Sequence, residues 1–167
     1  MRKIGIVLIL MALILACGGD DTERTEYLDS LALGMDEFIA AQDAWSAFNE
    51  NVAQQGFGRS RQEAMSLAEE QLALGRALIG SATALLKNIQ SLSVPSECQA
   101  LHLATVEAVQ LVEKAFSFLN PASESQLRGV PDNASFERGN RLLAESDRAK
   151  QRAGFGIEEC GLGDSPS

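Results

Sequence analysis

The chain has 167 residues, with 14 Lys and Arg against 23 Asp and Glu and a formal net charge of −9. That length is one domain's worth of chain, and an acidic surface repels nucleic acid and anionic headgroups, so nucleic-acid binding is not expected. Aromatics are 5% and prolines number four, while Ala, Leu, Gln and Glu are plentiful, the composition of a helical protein.

In chain order, Met1-Arg2-Lys3 is a short basic start, and Ile4 to Ala16 is an apolar run broken only by Gly5. This is the layout of a secretory signal, and the run is shorter than the roughly 20 residues of a transmembrane helix. It ends at Ile14-Leu15-Ala16-Cys17, followed by Gly18-Gly19-Asp20-Asp21. These residues resemble the lipobox of bacterial lipoproteins, with Leu15 standing where that pattern prefers Ala or Ser. The resemblance implies cleavage before Cys17, acylation of its thiol and a firm membrane anchor. Gly18 stands where some bacterial lipoproteins carry an inner-membrane retention Asp, which implies the outer membrane or cell surface in a host that has one. The expected organisation is a signal peptide at 1–16, a lipid-anchored linker at 17–21, a helical domain at 22–160 and a disordered tail at 161–167. Losing the positive charges of Arg2 and Lys3 takes the net charge from −9 to −11.

The first helical segment is expected from about Thr22 to Gln54. Leu28, Leu31, Met35, Phe38, Gln42, Trp45, Asn49 and Val52 step by three and four residues, an a/d pattern with two polar interruptions. Gly56-Phe57-Gly58 breaks it. Ser60-Arg61-Gln62-Glu63 is a capping box that opens a second segment running to about Leu92. Its stripe is Ala64, Leu67, Gln71, Leu74, Leu78, Ala82, Leu85, Ile89 and Leu92. Gly75 and Gly80 inside it suggest close approach of a neighbouring helix. Pro95 marks the next joint, and Ser96-Glu97-Cys98-Gln99 reads as a second capping box. The third segment, to about Leu119, is apolar over a wide face and is expected to be the most buried. Asn120 to Pro131 reads as the longest joint. The fourth segment, about Asp132 to Glu159, has only a weak apolar stripe, crowded by Arg138, Arg141, Arg148, Lys150 and Arg152.

Beyond Cys17 the chain has two cysteines, Cys98 and Cys160. An even number in an exported chain predicts a disulfide. Cys98 opens the third segment and Cys160 follows the fourth, so the two meet only if those helices run antiparallel. The bridge and an all-α, antiparallel up-down-up-down four-helix bundle therefore predict each other.

Motifs for chemistry are scarce. CxxCH is absent, the single histidine rules out a paired Glu-x-x-His site, and no GxSxG is present. No metal site and no cofactor are expected, and catalysis is not expected. Adjacent carboxylates such as Asp36-Glu37 and Glu69-Glu70 diverge by about 100° on a helix and read as a solvated face. Gln42 and Asn49 at core-facing positions set register or face a small polar cavity, with Trp45 one turn from both as a ligand platform. His102 reads as a flank residue near the disulfide, or, with Met35 or Met65, as a haem ligand. The reading is a lipid-anchored extracytoplasmic binding or interaction module of the bacterial envelope, touching the membrane through its anchor and an envelope protein as partner. The alternative is a small-ligand or metal/haem-binding bundle using Gln42, Trp45 and His102.

Overall fold

The structure, a computed structural model, describes residues 22–54 and 60–162. The signal, Cys17, the linker, the Gly56-Phe57-Gly58 break and residues 163–167 lie outside the described residues. Within them the chain forms four α-helices: α1 (Thr22–Gln54), α2 (Arg61–Gln90), α3 (Gln99–Leu127) and α4 (Asn133–Ile157). A 3₁₀ turn at Ser96–Cys98 precedes α3, and a wide turn at Glu158–Leu162 follows α4. Successive helices pack antiparallel. Gly34 of α1 faces Leu85 of α2, Arg76 of α2 pairs with Glu124 of α3, and Arg152 of α4 pairs with Glu107 of α3. This is the antiparallel four-helix bundle, with one disulfide between Cys98 and Cys160.

Helix α3 is the axis of the bundle. Leu101, Val109, Val112, Ala115 and Phe116 are each 2% exposed or less, because α3 packs against both α2 and α4 and also reaches α1. The hydroxyl of Tyr27 lies 3.5 Å from Nδ1 of His102, and the rings of Trp45 and Phe116 meet edge-on at 4.7 Å. The core of α1 is Tyr27, Leu28, Leu31 and Phe38, and that of α2 is Leu78, Ala82, Leu85 and Ile89. At the other end the expected stripes thin out: Gln42, Trp45, Asn49 and Val52 are half-buried, and Ala64 is exposed.

Helix ends follow local chemistry. Ser60 and Glu63 form the expected capping box, with the Glu63 amide donating to Oγ of Ser60 and the Ser60 amide donating to the Glu63 carboxylate at 2.8 Å. Asp132 caps α4 by accepting from the Ser135 amide at 3.1 Å. The second capping box does not form. Ser96 donates to its neighbour Glu97 instead, the Gln99 side chain turns back to the Val94 carbonyl, and α3 starts at Gln99 with no side-chain cap.

The expected joint at Asn120 to Pro131 is the largest departure. Helix α3 runs straight through Pro121 to Leu127. Proline in a helix interior costs ~3 kcal/mol, yet Pro121 itself is exposed while Asn120, Ala122 and Ser123 beside it are buried. Burial of that face against α2 and α4 outweighs the missing hydrogen bond. The helix stops at Gly129, whose φ is 79°. The Gly129 amide donates to the Gln126 carbonyl and the Val130 amide to that of Ser125, the paired bonds of a Schellman stop.

Helix α4 adds close approach to the weak stripe read from its sequence. Phe136, Leu142, Leu143, Ala153 and Ile157 pack on the core, and the small residues Gly139, Ser146, Ala149 and Gly156 are buried. A Cβ at Gly139 would lie 2.5 Å from Leu119, and one at Gly156 would lie 2.6 Å from the Leu101 nitrogen. Ser146 donates to the Ala108 carbonyl at 2.9 Å across the interface. Close approach compensates for side-chain size, because dispersion falls steeply with any gap. Gly75 likewise admits Asn120, as expected, but Gly80 faces open space. Among the basic residues of α4, Arg152 pairs with Glu107, Lys150 with Asp147 in its own helix, and Arg138 lies over the Phe118 ring at 4.3 Å.

The disulfide joins Cα atoms 4.4 Å apart, and both cysteines are fully buried. Cys160 belongs to the closing turn together with Gly161 and Leu162, the first two residues of the expected tail; the rest of that tail lies outside the described residues. The bridge ties the end of α4 to the start of α3, next to the start of α1, where Arg24 lies over Gly161.

Candidate functional site

In a closed four-helix bundle each helix packs on two sequential neighbours, giving four seams. Here three seams are packed, and the fourth, between α1 and α4, is nearly free of direct contact. At the disulfide end Arg24 of α1 lies against Gly161, just past the end of α4, and in the other half a cleft of about 320 Å³ opens between the two helices. Helix α1 contributes Trp45 and Asn49, α2 contributes Gln71, and Leu119 comes from α3. Helix α4 contributes Phe136, Asn140 and Leu143.

The positions follow from register. Trp45 and Asn49 are one turn apart on the inward stripe of α1, and Phe136, Asn140 and Leu143 are one turn apart on α4. Trp45 is held edge-on by Phe116. The Asn49 side-chain amide donates to the Trp45 carbonyl at 2.9 Å, which fixes its rotamer and leaves its Oδ1 as an acceptor. The carboxamides of Gln71 and Asn140 form no hydrogen bond among the described residues. All seven lining side chains are uncharged, although charged residues make up 22% of the chain. Such a lining carries no charge to offset the desolvation of an ion.

The three residues singled out for ligand binding do not come together. Trp45 lines the cleft, as does Asn49, the other polar interruption of the α1 stripe. Gln42 is half-buried one turn below and is not among the lining residues. His102 sits at the disulfide end beside Tyr27, half-buried. Burial pushes the imidazole pKa down and that of Tyr27 up to about 12, so both are neutral at ordinary pH.

Helical register separates His102 from Met65 by ~40 Å along the bundle, too far for both to flank one iron, and from Met35 by ~9 Å, at 1.5 Å per residue. Among the described residues no three His, Cys, Asp or Glu side chains converge as metal ligands. Sequence reasoning missed Gln71, Phe136 and Asn140. Gln71 was visible as a polar residue inside an apolar stripe. Phe136 and Asn140 depended on which seam stays open.

These features define the class: an antiparallel, disulfide-stapled four-helix bundle with one open, neutral seam. Beyond that class, the chain matches no protein-family model, no curated protein and no solved structure.

Proposed function

We propose that the chain is a lipid-anchored, non-catalytic binding module of the bacterial envelope, acylated on Cys17 and presenting the α1–α4 seam away from the membrane. The observation that carries this is the placement of the two ends. Helix α1 starts at Thr22, five residues after Cys17, a span of at most ~18 Å when extended. The disulfide lies at that same end. Trp45 lies 23 residues further along α1, ~35 Å up the bundle. An acyl anchor thus holds the stapled end near the bilayer and leaves the seam facing outward, where an envelope partner or a soluble ligand has access. Diacyl or triacyl anchoring is stable, unlike that of a single chain. No described helix is long and apolar enough to cross a membrane.

The experiment is intact-mass analysis of the full-length protein expressed in a bacterial host with lipoprotein processing and purified from membranes. The expected mass corresponds to residues 17–167 plus diacylglyceryl and acyl groups, with two hydrogens lost to the Cys98–Cys160 bridge. Cys17→Ser moves the protein out of the detergent-requiring fraction. A processed chain with a free Cys17 thiol refutes the anchor.

A further inference from the structure

We infer that the open α1–α4 seam is a saccharide site that takes an uncharged pyranose ring. This deepens the binding-module reading and rests on it for access to envelope glycans. The cleft is of ligand size, at the lower end of the ~300–1,000 Å³ typical of small-molecule pockets. Its lining combines two aromatic rings, Trp45 and Phe136, with three carboxamides, Asn49, Gln71 and Asn140, from three different helices. A pyranose has the matching duality. Its axial C–H face is apolar and packs on an aromatic ring, while its rim carries hydroxyls that both donate and accept. A carboxamide offers the same pair of functions, an N–H donor and a carbonyl acceptor.

Other occupants match less well. An ionic ligand would enter a lining without counter-charge. An extended peptide binds best along an exposed strand edge, and the walls here are helices whose backbone groups are already paired. An amphipathic helix needs a long apolar groove, and this cleft occupies only part of one seam and is half polar. A purely apolar ligand would bury the half-buried Gln71 amide without a partner, at a cost comparable to that of a lost hydrogen bond.

The chain's single tryptophan lies in the cleft, so selectively excited tryptophan emission reports on this site and not on Tyr27. The test titrates the full-length, disulfide-bonded protein with two neutral probes, tetra-N-acetylchitotetraose and maltotetraose, and with a neutral tetrapeptide as comparison. A saturable change in Trp45 emission with at least one saccharide is expected. The acetylated probe points to an amino-sugar wall polymer and the other to a plain hexose polymer. Asn140→Ala and Gln71→Ala, both at positions outside the packed core, are expected to weaken that response by about 2- to 10-fold each, as loss of one neutral hydrogen bond does. No saturable change with either saccharide up to ~10 mM, a response to the peptide alone, or undiminished affinity in both variants overturns the proposal. The anchor mass of Cys17 is read separately, so loss of the saccharide site leaves the lipid-anchored reading standing, and loss of the anchor leaves the titration interpretable.

Discussion

Gly154 and Gly156 lie two residues apart in α4, and the same change at each should act in opposite directions. A Cβ at Gly154 meets nothing within 4 Å, so Gly154→Ala gains up to ~1 kcal/mol of helix propensity. A Cβ at Gly156 would lie 2.6 Å from the Leu101 nitrogen, 2.7 Å from its Cα and 3.1 Å from the Ala100 carbonyl carbon. Those are backbone atoms and cannot rotate away, so α4 must retreat from α3 by ~1 Å to restore ordinary contact. The Cys98–Cys160 bridge lies three residues before Leu101 and four after Gly156, and it resists that retreat. Overpacking of this kind costs ~1–3 kcal/mol, so after the propensity gain Gly156→Ala loses up to ~2 kcal/mol. The two variants then differ by ~1–3 kcal/mol. In urea, with a slope of ~1–3 kcal/mol/M, their midpoints separate by roughly 1 M at unchanged slope. A Gly156→Ala protein as stable as Gly154→Ala would refute the close α3–α4 approach and the argument that small residues hold α4.

Removing the bridge with Cys98→Ala and Cys160→Ala together should lower stability by ~4 kcal/mol in the chain-entropy model for a sequence separation of 62, read as a drop in the urea midpoint. Pro121→Ala should stabilise the protein by ~1–3 kcal/mol, because it restores a helical hydrogen bond at an exposed site; destabilisation in thermal melts would return Asn120 to Pro131 to the status of a joint. Gly129→Ala should cost ~1 kcal/mol, because φ of 79° strains a residue with a Cβ, and a neutral melt would contradict the Schellman stop. The chain has one tyrosine, so tyrosinate absorbance titrates Tyr27 alone, and its midpoint is expected near 12. The unfolded chain gives up that proton near 10, so stability is intact below pH 10 and lost between about 10 and about 12. Tyr27→Phe should abolish that loss, and an ordinary midpoint near 10 would contradict burial of the hydroxyl.

The candidate site was legible only in pieces. Trp45 and Asn49 stand out because an aromatic and a polar residue share the inward stripe of one helix. His102 stands out as the only histidine, yet it lies at the opposite end, beside Tyr27. No periodicity within one helix states which pairs of helices will be left apart. That depends on how closely α4 approaches α3, and hence on Gly139 and Gly156 meeting Leu119 and Leu101 across the interface.

The amino-acid order alone determined the helical class, the four segments, the Ser60 cap and the pairing of Cys98 with Cys160. Each of these depends on spacing within one helix, or on a cysteine pair that an antiparallel layout brings together. Tertiary structure decided the rest. Helix α3 passes through Pro121 because its flanking residues are buried, and α4 adds close approach at Gly139 and Gly156 to its few apolar contacts. The seam stays open because α4 closes on α3 and not on α1. These outcomes are balances between local preference and burial against distant residues, and that burial exists only once the helices have met.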